Sequence, residues 1–150
     1  GVSNVWINGA IYGETGINAG LAGHFGVPVV FVAGDKHVTE EAKSILGPIQ
    51  VAAVKEAITR YSAKNMHPTK AVELIRRQAE AGLRQRAEVK PLVFSTPVTM
   101  RLEFLNAGMA DAANFLPGSI RVDGRTVDYT ADDYVTAFQG LRAMITLAGK

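Results

Sequence analysis

The sequence predicts an α/β fold, a layered sheet flanked by helices with an α+β C-terminal portion. Three observations carry that expectation. Helical patterns alternate with continuous β-branched runs between Glu14 and Val54. Two hairpin dipeptides, Asn8-Gly9 and Asp123-Gly124, each sit between apolar stretches. The chain closes on an amphipathic stripe of Tyr134, Phe138, Leu141 and Ile145, spaced as one face of a helix.

The elements follow in order. Val5-Trp6-Ile7 and Ala10-Ile11-Tyr12 flank Asn8-Gly9, whose residues both tolerate positive φ, and form a hairpin. A helix is expected from about Glu14 to Phe25. Gly16, Ala19, Gly20 and Gly23 recur along it at three- and four-residue spacing and imply a neighbour packed close against it. Gly26 suits its stop, with Pro28 just beyond. Val29-Val30-Phe31-Val32 reads as a strand buried on both faces, and Ala33-Gly34-Asp35 as a turn. Thr39 is placed as the cap of a helix reaching Leu46, and Ile49 to Val54 as a second buried strand, parallel to the first. Lys55 to Met66 is ambiguous, its pattern being compatible with a loop containing a helical turn. Pro68 opens a long helix reaching about Ala87, with Val72, Ile75, Ala79 and Leu83 inward. Thr99 to Leu105 alternates as a half-buried strand, and Ala107 to Phe115 is a short helix. Ser119–Val122 and Arg125–Tyr129 form the second hairpin, and the last helix runs from Ala131 to Ala148 with Thr130 as cap.

Composition narrows the function classes. The 150 residues, 47% hydrophobic and 20% charged, are enough for a core, and the whole is read as one region. Without cysteine there is no disulfide, zinc finger or catalytic thiol, which fits a reducing, cytoplasmic setting. The net charge is +2, and the basic residues of Lys64–Lys90 are interleaved with Glu73, Glu80 and Glu88. That segment reads as a solvated face with no aromatic stacking platform, so no nucleic-acid partner is expected. The longest apolar run, Val27 to Ala33, has seven residues against the roughly 20 of a membrane span, so no membrane partner is expected. Gly1 stands in place of a methionine, which predicts a portion of a longer or processed chain. It also lacks the side chain an N-terminal nucleophile requires.

Few residues carry candidate chemistry. Glu14, in Tyr12-Gly13-Glu14-Thr15-Gly16-Ile17-Asn18-Ala19, is the one acidic residue among the first 34 and sits where strand gives way to helix. It is either a metal ligand or general base, or a helix-end charge stabilised by the dipole, and spacing alone favours the second. His24, His37 and His67 show no i, i+4 metal pair. They read as a helix C-terminal residue, a loop residue and a local cap. The glycines around Glu14 match neither phosphate-binding pattern, and the carboxylate would repel phosphate there. Lys55, Arg60 and Asn65 follow a strand end, where sites of α/β sheets lie, or are solvated loop residues. Ser62 and Ser95 lack the nucleophile-elbow pattern.

Ile7 through Ala19, Val27 through Asp35 and Val51 through Lys55, with the spacing between them, resemble the C-terminal part of the D-aminopeptidase family of zinc metallopeptidases, the dipeptide transport protein A type. The resemblance continues through Glu103-Phe104, the Leu116-Pro117-Gly118 turn and the final helix. It implies a two-zinc site whose ligands are an Asp-x-Glu pair, two histidines and a glutamate in Gly-Glu-x-Gly-x-Asn-Ala. Glu14 matches that glutamate, and the other ligand positions and a catalytic histidine have no counterpart here. The resemblance therefore implies a C-terminal portion, inactive without the family's N-terminal part. In the complete protein, metal-activated water would attack the amide carbonyl of a short peptide and release an N-terminal D-amino acid. Glu14 would be an anionic ligand held by Gly13 and Gly16, and the partners would be the peptide and further copies in a ring-like homo-oligomer. Lys55 matches a family lysine without an assigned role. The alternative is a non-enzymatic assembly or small-molecule-binding module.

Overall fold

A computed structural model of the chain describes residues 1–149. It is a mixed α/β structure, as the alternating pattern predicts, and its backbone forms two compact units. No helix among the described residues is long and apolar enough to cross a membrane.

The first unit comprises Gly1–His24 and the residues from Val93 onward. Its elements are strands β1 (Val2–Ile7) and β2 (Ala10–Ile11) and helix α1 (Glu14–His24). After the second unit, described below, come β6 (Val98–Phe104), α4 (Ala107–Ala113), β7 (Ser119–Arg121), β8 (Thr126–Ala131) and α5 (Tyr134–Ala148). The strands make an antiparallel sheet in the order β2-β1-β6-β8-β7. Alternation along β6 sends Val98, Met100, Leu102 and Phe104 into the core, where they join Ile7, Val127, Leu141 and Met144. Arg101 and Glu103, the residues between them, carry a polar network. Arg101 donates to Asp128 through Nε at 2.7 Å and Nη2 at 2.8 Å, and Asn4 and Arg125 each donate to Glu103 at 2.7 Å. One apolar and one polar face is the arrangement an antiparallel sheet permits when helices cover a single side.

The last helix corrects its expected start. Thr130 and Ala131 do not cap or begin it, because they pair with Thr99 and Val98 across the sheet. Asp133 is the cap instead, accepting from the Thr136 amide at 3.0 Å and its hydroxyl at 2.6 Å. Those bonds hold the Asp133 carboxyl below its ordinary pKa.

The second unit is Phe25–Leu92. Strands β3 (Phe31–Asp35), β4 (Gln50–Thr59) and β5 (Ser62–Asn65) form a three-stranded sheet, with α2 (Lys36–Leu46) between β3 and β4 and α3 (Pro68–Arg84) after β5. The β3–β4 pair is parallel, as expected. Four boundaries differ from expectation. First, β3 omits Val29 and Val30, is only partly buried, and runs through Ala33-Gly34-Asp35, which pair with Ala52, Ala53 and Lys55 rather than turn. Second, Asp35 and not Thr39 caps α2, by accepting from the Val38 amide at 3.0 Å. Thr39 is buried one turn in, its hydroxyl donating to the Lys36 carbonyl at 2.8 Å. Third, 55–66 is no loop: β4 continues to Thr59 and returns as β5. Fourth, α3 ends at Arg84, a short 3₁₀ turn spans Arg86–Glu88, and Val72 and Leu83 face solvent, 64% and 59% exposed. The buried side of α3 is set by Gly82, whose missing Cβ lets the helix approach the Val30 carbonyl oxygen.

Asp35 yields a pH-dependent prediction. The Val38 amide first, then the His37 amide and the Lys55 charge, hold its carboxyl below the ordinary value against some desolvation. A carboxyl lowered by folding contributes stability above its unfolded pKa of about 3.9 and loses that contribution as pH falls through its lowered value. Asp35→Ala is therefore expected to lower the melting temperature at about pH 6, with the gap from wild type closing below about pH 4. A gap that stays the same down to pH 2, or none at pH 6, counts against the cap.

Candidate functional site

The turn around Glu14 is built from the hairpin outward. Asn8 and Gly9 take φ of 50° and 87°, the left-handed conformation that a tight two-residue reversal requires. Asn8 also fastens the turn to its neighbours. Its Oδ1 accepts from the Thr99 amide at 2.8 Å, and its Nδ2 donates to the Ser95 carbonyl at 2.8 Å. The chain then bends back, with the Tyr12 amide donating to the Val5 carbonyl at 3.0 Å. The Gly13 carbonyl accepts from the Ile17 amide at 3.2 Å, which starts α1 with Glu14 as its first helical residue.

An aromatic layer fixes that helix. Tyr12 meets Phe94 edge-on at 5.2 Å between centroids, and Phe94 stacks on Tyr134 at 5.3 Å. Gly16 faces the Tyr12 ring and Gly20 faces Tyr134 and Phe94, each so closely that a Cβ would collide with the ring. The buried Tyr134 hydroxyl donates to the Ile17 carbonyl at 2.8 Å, and burial pushes its pKa well above that of an ordinary phenol. The glycine spacing of α1 thus finds the partner it implied. The sequence pattern marks Tyr134 only as a core residue of the last helix, and no local signal marks Phe94.

Glu14 itself is exposed. It stands at the rim of a hollow of about 330 Å³ with apolar walls including Val5, Ile11, Tyr12, Ile17 and Ile145. Its position, at the first turn of a helix and aimed away from the core, serves either helix-end electrostatics or a ligand. A catalytic zinc takes about three protein ligands plus water. No cluster of three or more His, Asp or Glu able to hold a metal exists among the described residues. These residues alone therefore do not make a zinc site, and Glu14 could be at most one contributor to it.

The other sequence candidates lie elsewhere. His24 ends α1, about 15 Å along the helix from Glu14, and favours the ionised form of Asp133. His37 is not in a loop but in the first turn of α2, 4.0 Å from Glu40 and exposed. His67 caps α3, its Nδ1 accepting from the Thr69 amide at 3.3 Å. Lys55 pairs in register with Asp35 on one side and Asn65 on the other, and neither neighbour assigns it a reaction. Ser62 shares a hydrogen bond with Thr59, and Ser95 binds Asn8, so both hydroxyls serve turns.

A profile of the D-aminopeptidase family matches residues 1–143. This chain belongs to that family. The D-aminopeptidase of Bacillus subtilis (strain 168) is 37% identical to it over 149 residues, 99% of this chain and 54% of that protein. The solved structure of the zinc-dependent D-aminopeptidase DppA from Bacillus subtilis, described as a self-compartmentalizing protease, superposes with a TM-score of 0.96 at 36% identity. It is matched over 100% of this chain and 55% of its own. The chain thus spans about half the length of the D-aminopeptidases it resembles. The family resemblance read from the turn and the strands that follow it is borne out, together with the mixed α/β fold.

Proposed function

We propose that this chain is the C-terminal portion of a zinc-dependent aminopeptidase that hydrolyses N-terminal D-amino acids from short peptides. Glu14 supplies one metal ligand, and residues outside these 150 supply the others. The supporting observation is an exposed glutamate, held rigidly at a strand-to-helix turn, in a D-aminopeptidase family chain that has too few other ligands of its own. What this chain contributes is position. The Asn8-Gly9 hairpin sets where the turn lies, and the aromatic layer under Gly16 and Gly20 keeps the first turn of α1 from shifting. The apolar hollow beside Glu14 offers a wall for a substrate side chain. The reading includes self-assembly into a homo-oligomer, supported by the self-compartmentalizing relative.

The 150-residue chain alone is expected to bind no stoichiometric zinc and to hydrolyse neither D- nor L-aminopeptides. The longer protein containing it should bind zinc and cleave D-alanyl peptides at least tenfold faster than their L counterparts, a difference of about 1.4 kcal/mol in transition-state free energy. Metal analysis and a ninhydrin assay on both enantiomers decide it. Equal rates, or full activity of the short chain, would sink the proposal.

A further inference from the structure

We infer that the β4–β5 hairpin is a self-association arm whose partner is a second copy of this chain, an inference that rests on the assembly proposed above. The pairing of β3 with β4 ends at Asp35 opposite Lys55. Beyond that point β4 runs on to Thr59 and pairs only with β5, from Lys55 opposite Asn65 to Thr59 opposite Ser62. The hairpin is thus a two-stranded ribbon with no third strand, a structure only marginally stable in water by itself. Its own side chains add little. The Ala57–Ala63 cross-strand pair has almost no surface to bury. The turn is held by small hydroxyls, with Thr59 and Ser62 oxygens 2.8 Å apart and the Tyr61 amide donating to Thr59 at 3.2 Å.

Two large side chains of the ribbon stand in solvent among the exposed Lys55, Glu56, Arg60 and Lys64. The register shift between Ala57 and Thr59 leaves Ile58 as the extra, bulged residue, 69% exposed. Tyr61 at the tip is 91% exposed, with the Arg60 guanidinium 5.9 Å from its ring. Tyrosine and arginine at a tip are the residue types that anchor interfaces. The alanine side of the ribbon leaves a trough of about 520 Å³, bordered by Asp35, Lys55 and Tyr61. A ribbon with an aromatic tip beside a trough where Ala57 and Ala63 leave room between Asp35 and Lys55 can give its tip to one copy and receive the tip of another. That is the head-to-tail complementarity which closes rings.

The test uses the longer protein that contains this chain. Ile58→Asp with Tyr61→Asp is compared with Val72→Asp with Leu83→Asp, a control on the exposed side of α3, by sedimentation velocity across concentration. The hairpin variant should self-associate at least tenfold more weakly than wild type at an unchanged melting temperature, and the control should match wild type. In wild type, hydrogen exchange of the 57–62 amides should slow as concentration rises. An assembled wild type with an equally assembled hairpin variant overturns the arm and leaves the proposed function standing. A wild type that is monomeric at every concentration overturns the arm together with the assembly reading, and does not touch the zinc reading. Protection that is high and independent of concentration means the hairpin packs within its own chain, which also overturns the arm. Should the double variant unfold, Tyr61→Ser is judged by the same readouts.

Discussion

Glu14→Gln in the longer protein is expected to lower zinc affinity and D-aminopeptide hydrolysis by at least a hundredfold while leaving the fold in place. The substitution keeps the size and shape of the side chain and removes its charge. Glu14 is exposed and lies at the first position of α1, so folding depends on it only through the helix dipole, about 0.3–1 kcal/mol. Loss of a partner that merely orients a metal ligand reduces affinity or activity by about 10–100-fold, and loss of a charged ligand should exceed that. The two readings of this residue therefore give opposite patterns. A ligand role predicts a large fall in bound zinc with a melting temperature nearly unchanged. A purely helix-end role predicts a small fall in melting temperature with full zinc content and normal rates, and that pattern would reject the assignment. Metal analysis, thermal melts and initial rates on the same preparations separate them.

Gly20→Val is the substitution expected to do most damage to the fold near the site. A Cβ at Gly20 would collide with the Tyr134 ring and with Phe94. Tyr134 has little room to yield: it is 4% exposed, it stacks on Phe94, and its hydroxyl is bonded to the Ile17 carbonyl one turn away. Overpacking of this kind destabilises by about 1–3 kcal/mol, and loss of the buried tyrosine hydrogen bond adds about 1 kcal/mol. Valine brings no compensating gain comparable to that of alanine at a helical glycine. The melting temperature should fall by roughly 6–12 °C for about 3 kcal/mol. In the longer protein zinc affinity should fall too, because α1 carries Glu14 and cannot keep its seat. Unchanged stability would mean that the aromatic layer is not rigid. The surface variant Asn18→Ala, exposed on the same helix, serves as the comparison and should melt close to wild type.

Much of this architecture was legible because its signals are local. Asn8-Gly9 needs positive φ and takes it, β6 alternates and buries every second residue, and Pro68 stands at the first turn of α3. The segment 55–66 was not legible for a physical reason. Its hairpin turns at Arg60-Tyr61, which lack the Gly or Asn signature, and it relies on the Thr59 and Ser62 hydroxyls and a bulge at Ile58 to close. The caps of α2 and α5 were misplaced because Asp35, Thr39, Thr130 and Asp133 can all serve as caps, and pairing in β3 and β8 decides which residues remain extended.

By itself the sequence determined the family, the alternation of helices and strands, and the glutamate at the first turn of α1, since these rest on residue types and short spacings. Tertiary structure alone decided what holds that glutamate still. Gly16 and Gly20 announce that something packs close, but only folding brings Phe94 and Tyr134 under the helix, because they lie 74 and 114 positions beyond Gly20. Folding likewise left Ile58 and Tyr61 in solvent, where a partner could bury them. No spacing marked these two as uncovered, because their burial depends on which surfaces the rest of the chain supplies.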